Sequence, residues 1–156
     1  MQTLSELFEN TLKDIYFAEN AISEALPKAS RAVKSADLKK ALDHHLEETK
    51  GQIETLKKVF KTINVKPMGE KCDATEGLLK ETDGVIGESK GVALDAGVLA
   101  ACQAVEHYEI ARYGSLREWA KVLGNEEAHV LLSEILDQEK AANNVLTNLA
   151  VSKINH

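Results

Sequence analysis

Apolar side chains recur along the chain at alternating intervals of four and three residues. The first such stripe reads Phe8, Leu12, Ile15, Glu19, Ile22, Leu26, Ala29 and Val33. The second reads Ala41, His45, Glu48, Gln52, Leu56, Val59 and Ile63. The third reads Cys102, Glu106, Glu109, Tyr113, Leu116, Ala120 and Leu123, and the fourth Ala128, Leu132, Ile135, Glu139, Ala142, Leu146 and Leu149. This spacing keeps one face of an α-helix apolar, and no segment shows the alternation of a half-buried strand. It predicts four long helices, at about 4–34, 37–63, 94–123 and 126–152. Pro27 falls inside the first and could kink it, but the period runs on to Val33, so the helix is expected to continue.

The joins set the topology. Ser35-Ala36-Asp37 and Gly124-Asn125 are short, so each predicts an antiparallel helical hairpin. The connection from about 64 to 93 is long, contains Pro67 and Gly69, and predicts a short helix near 74–88 with Asp73 as its N-cap. An up-and-down bundle needs no such length. A crossover does, because a helix of about 28 residues is roughly 42 Å long. The expected fold is therefore all-α, a ferritin-like four-helix bundle over a single domain, 1–156, with its second and third long helices parallel.

Each stripe carries a carboxylate near its middle. Glu19 lies 16 residues before Ser35 and Glu48 lies 13 after it, while Glu109 and Glu139 each lie 15 from Gly124. In antiparallel hairpins these offsets place four glutamates at one level of the core. A single glutamate there would be a register slip or an edge residue reaching water. Four at one level are costly, since burying one ionised carboxylate costs several kcal/mol and four repel one another. No lysine or arginine recurs at mid-helix on the stripes to pair with them. Two divalent cations would match the four charges. Glu106, three residues from Glu109, is expected to reach one cation from the side.

The neighbouring residues leave alternatives open. His45, three residues before Glu48, is a satisfied core histidine or a ligand; beside this cluster the ligand reading is preferred. His107 is an outer hydrogen-bonding partner or a solvent-facing side chain. Tyr16 and Tyr113 either donate to a ligand carboxylate or fill core volume. Cys102 reads as a buried structural thiol.

Composition narrows the function classes. The chain has 156 residues, 44% hydrophobic and only 4% aromatic, so its core is mainly aliphatic. A net charge of −6 argues against nucleic acid and anionic membranes as partners. No apolar run approaches the roughly 18 residues of a membrane span, no leader is visible, and two cysteines make no disulfide framework. A cytoplasmic location is expected.

The segments 14-DIYFAENAI-22, 45-HLEETKGQIETL-56, 72-CDATEGLL-79, 102-CQAVEHYEIARYGSL-116 and 137-DQEKAANNVLTNLA-150 resemble the YciE/YciF-like family of bacterial ferritin-like proteins. The resemblance covers nearly the whole chain, and EHYEIARYG is its most specific part. It implies a four-helix bundle with a di-iron centre, a link to stress responses, and a homodimer. Two departures stand out. The Glu-x-x-His pairs usual in di-iron bundles are missing, because Gly51 and Ala142 occupy the histidine positions. On the fourth helix the chain reads 138-QEKAAN-143, where relatives often carry Glu-Glu-Lys-x-Thr-Asp.

The expected metal ligands are thus Glu19, His45, Glu48, Glu106, Glu109 and Glu139. An oxygen-rich set with imidazole suits two iron ions, or manganese or another divalent metal. One functional expectation is a di-iron protein handling iron, oxygen or peroxide, with possible oxidase activity. The other is a non-catalytic stress or interaction protein whose metal is structural. Storage in a cage is not expected, since no short fifth helix is predicted after the fourth.

Overall fold

Thr3 begins the first helix with a capping box: its hydroxyl accepts from the Glu6 amide, and the Glu6 carboxylate accepts from the Thr3 amide, both at 3.2 Å. The computed structural model describes residues 1–156. Helix α1 (Leu4–Ala32) passes through Pro27 without a break, and α2 (Ala36–Thr62) follows at once. Then come α3 (Asp73–Glu88), α4 (Val92–Val122) and α5 (Glu126–Leu149). The apolar period predicts that the last helix reaches about 152. Instead α5 ends at Leu149 and widens into a π-helical turn, Ala150–Ile154.

Both short joins are built from side-chain caps. Ser35 accepts from the Leu38 amide, and Asn125 from the Ala128 amide. Gly124 takes φ +73° between α4 and α5, where a side chain would be strained. The first turn is also capped from outside. Asp95, buried on α4, accepts from the Lys34 and Ser35 amides at 2.7 Å each. Asp73 is not the N-cap of α3 but its first helical residue. Cys72 occupies the cap and makes no side-chain hydrogen bond to the helix. Asp73 and Glu76 still place negative charge in the first turn.

α1 packs on α2 and α4, and α5 packs on the same two helices. α2 and α4 therefore stand diagonally. Asn125, at the start of α5, donates to Thr62 at the end of α2 at 2.8 Å. At the other end Lys153 pairs with Asp37 at 2.6 Å. So α5 runs antiparallel to α2, and Asp95 shows that α4 runs antiparallel to α1. The two diagonal helices α2 and α4 are parallel, which is why the chain must travel the bundle's length between them. On the way the backbone presses against α1. A Cβ added at Gly69 would meet Phe17 at 3.0 Å, and the Glu70 amide donates to the Lys13 carbonyl. α3 then covers α1 and α4.

Buried apolar side chains fill both ends of the bundle. Phe8, Leu12, Phe60, Leu116 and Leu132 lie in one end; Leu26, Leu42, Val98, Leu99 and Leu146 lie in the other. Between them sits a polar layer. No helix is long and apolar enough to cross a membrane.

Candidate metal centre

Glu106 and Glu109 are three residues apart on α4, so both point to one face. That face meets α5 and α1, and it brings Glu139 and Glu19 to the same layer. All four carboxylates are buried, with exposures of 0 or 1%. His45 enters from α2 and sets its Nε2 2.9 Å from Glu106 Oε1. His45, Glu106, Glu109 and Glu139 each offer a ligand atom within 4.8 Å of the others. Glu19 adjoins Glu109, and its Oε1 accepts a hydrogen bond from the Tyr113 hydroxyl.

Hydrogen bonding leaves this layer unsatisfied. Six buried carboxylate oxygens have no partner: Oε2 of Glu19 and of Glu106, and both oxygens of Glu109 and of Glu139. Native proteins rarely leave such atoms bare, and each costs a full desolvation penalty. The one ion pair within the layer is His45 with Glu106; no lysine or arginine reaches it. Five converging donors, mostly oxygen with one imidazole, fit divalent first-row cations.

Without a cation, protons must take the place of positive charge. Burial, opposed by the Tyr113 hydrogen bond and the His45 charge, moves the Glu19 carboxyl up to about 7. Burial and the adjoining Glu106 carboxylate push Glu139 to about 11. Burial, with the charges of Glu19, Glu139 and Glu106, holds Glu109 well above the usual range. Burial alone would lower the His45 imidazole, but Glu106 and Glu48 overcome it and raise it well above an ordinary histidine. Cys102 is driven to about 12 by burial and the Glu106 charge, so it is an inert thiol.

Glu48 stands apart from the group. Its side chain is 22% exposed, with Oε1 3.4 Å from His44 Nε2 and Oε2 3.9 Å from His45 Nδ1. The residue of α2 that faces inward at this depth is Thr49, fully buried with its hydroxyl unpaired, and Gln52 one turn on donates to Gln138. Sequence reasoning passed over Thr49. The signal for Thr49 was the pair Leu38 and Leu42, which start a 4–3 stripe running through His45 to Thr49 and Gln52. Tyr16 packs edge-on against Phe60 instead of reaching a carboxylate. His107 is exposed and bonds the Gln103 carbonyl, while Asn143 accepts from Gln103.

Two cavities reach the layer from opposite sides. One, of about 90 Å³, opens between α2 and α5, with His44 and Glu48 at its mouth and His45 and Glu106 at its floor. The other, of about 30 Å³, lies under α3 between apolar residues such as Ile22, Leu26, Leu79 and Val105.

Comparison with known proteins adds kinship. The model of a family described as a domain of unknown function, DUF892, matches residues 3–156. The chain is 43% identical over 157 residues to the protein YciF of Escherichia coli K12, covering 99% of this chain and 95% of that protein. The crystal structure of the E. coli stress protein YciF superimposes with a TM-score of 0.94 at 44% identity over 99% of both chains. The structure of YcfI from Rhodopseudomonas palustris superimposes with a TM-score of 0.91 at 48% identity over 94% of both.

Proposed function

The chain belongs to the DUF892 family of YciF-like proteins, and we propose that it is a dimetal stress protein handling iron, oxygen or peroxide in its carboxylate layer. The observation that carries this is the set of six buried carboxylate oxygens without a donor, on three different helices. Glu19, Glu106, Glu109, Glu139 and His45 would hold the metal. Bound iron would supply one-electron redox chemistry towards oxygen or peroxide. The chain supplies the rest. Tyr113 fixes one oxygen of Glu19 and so turns the other inward. His45 bonds Glu106 and orients it. Leu and Val layers above and below exclude bulk water, which strengthens every charge interaction between them. The whole chain forms one ferritin-like domain, and a homodimer is its assembly.

A second reading, a non-catalytic stress or interaction protein with a structural metal, is favoured by the missing imidazoles at Gly51 and Ala142. One experiment separates the two. The protein is purified from iron-supplied cells, and its metal is counted per chain and located by anomalous scattering. Oxidation of added ferrous iron is then followed with and without oxygen or peroxide. Two metals per chain with oxidant-dependent oxidation support the first reading. Bound metal with no oxidation leaves the structural role, and a metal-free chain overturns both.

A further inference from the structure

Glu48 and His44 lie outside the buried group and the core, yet their geometry connects to it. The side chains form a graded series from solvent inward: His44 is 74% exposed, Glu48 22%, His45 9% and Glu106 1%. Successive nitrogen and oxygen atoms along it are 3.4, 3.9 and 2.9 Å apart. The middle gap is informative. His45 Nδ1 is buried and has no hydrogen-bond partner, although it faces Glu48 Oε2. A separation of 3.9 Å is too long for a hydrogen bond. It does suit two ligands sharing one cation, each about 2.0–2.2 Å from it. The whole series lies along the cavity between α2 and α5, whose wall is otherwise small or apolar, as at Ala142 and Val145.

We propose that His44 and Glu48 form a capture station at the mouth of this cavity, which takes a divalent first-row cation from solvent and hands it to His45 and the buried carboxylates. The inference rests on the dimetal reading above and says how the layer is filled. Imidazole and carboxylate together select first-row metals over magnesium and calcium, which prefer oxygen alone. His45 links the two sites because its nitrogens face opposite ways, Nε2 to Glu106 and Nδ1 to Glu48. The cavity has room for several waters, enough for an ion to shed its shell in steps. The cavity under α3 has no charged group at its outer end and offers a cation no such series.

The test follows the kinetics of loading. Metal-free protein is mixed with cobalt(II) in a stopped-flow instrument, and the visible bands of the bound ion are recorded. Final occupancy is measured by elemental analysis. His44→Ala and Glu48→Gln change exposed or half-exposed side chains, and their melting curves check the fold. A third variant, Ala142→Phe, narrows the cavity without touching a ligand. Each should load about tenfold more slowly than wild type, the scale on which local charge and access alter association, and reach the same occupancy. Wild-type loading with unchanged rates in all three variants would overturn the capture station and leave the dimetal reading standing. Reduced final occupancy in Glu48→Gln would also overturn it, by making Glu48 a ligand of the centre itself. A wild-type chain that takes up no cobalt would refute the dimetal reading, and the station with it.

Discussion

Glu19 keeps one oxygen on the Tyr113 hydroxyl and leaves the other bare, and the balance between them sets how the metal-free layer responds to acid. Its carboxyl titrates at about 7 in the fold, against 4.5 for an ordinary glutamate in water. A raised folded value means that the native state holds a proton the unfolded chain has released. The stability this contributes is fully present below about 4.5 and is lost as pH rises through about 7. Glu109, Glu139 and His45 are also raised, so they add in the same direction. Metal-free protein should therefore become less stable from about pH 5 to about pH 8 in urea titrations, and loaded protein should show a flatter profile, because a cation displaces those protons. A metal-free chain that gains stability over that interval would contradict a proton-bearing layer. Substitution separates the residues further. Glu109 feels the charges of Glu19, Glu106 and Glu139, so Glu109→Ala should empty at least one metal position. Its metal-free form sheds a buried carboxyl whose two oxygens have no partner, which offsets the cavity left behind, so it should melt close to wild type. Glu106 anchors His45, so Glu106→Ala should weaken affinity while some metal remains. Elemental analysis of both variants decides; full occupancy in Glu109→Ala would mean that the metal lies elsewhere.

At the scale of elements, the helices were legible because their periods are long and regular. Glu19, Glu109 and Glu139 fall where counting from the turns puts them, and the crossover follows from its length alone. What the count missed was rotation. On α2 the pattern admits either Ala41 and Glu48 or Leu42 and Thr49 as the inward face, and only packing against α1 and α5 selects the larger Leu42. That rotation carries Glu48 to the rim. Asp73 was misplaced for a similar reason: capping statistics favour aspartate, but Cys72 is drawn inward to bond the Tyr108 hydroxyl at 3.0 Å, which fixes where α3 begins. The tie between α4 and the first turn had no signal in the sequence, because Asp95 and Ser35 are 60 residues apart. It should matter. Asp95→Ala leaves two amides without their acceptor and should cost about 2 kcal/mol, read as a lower urea midpoint with an unchanged slope. An unchanged midpoint would show that water replaces the carboxylate.

Across the whole molecule, metal acts as a ligand of the native state alone. At a hundredfold excess over its dissociation constant such a ligand adds about 2.7 kcal/mol, which for a chain of this size corresponds to about 5–10 °C in melting temperature. Chelation should lower the melting curve by that amount, and coincident curves would rule out a stabilising metal. The division of the ligands has a further consequence, for the order in which the chain assembles. Glu19 and His45 belong to the hairpin of α1 and α2, and Glu106, Glu109 and Glu139 to that of α4 and α5. Each hairpin forms from contacts close in sequence and can fold quickly. Their docking is the step that brings the acidic groups face to face and strips their water. In a metal-free chain that encounter is an electrostatic barrier, and protons or divalent cations lower it. Refolding should then accelerate when either is added, while the helices within each hairpin form at an unaltered rate.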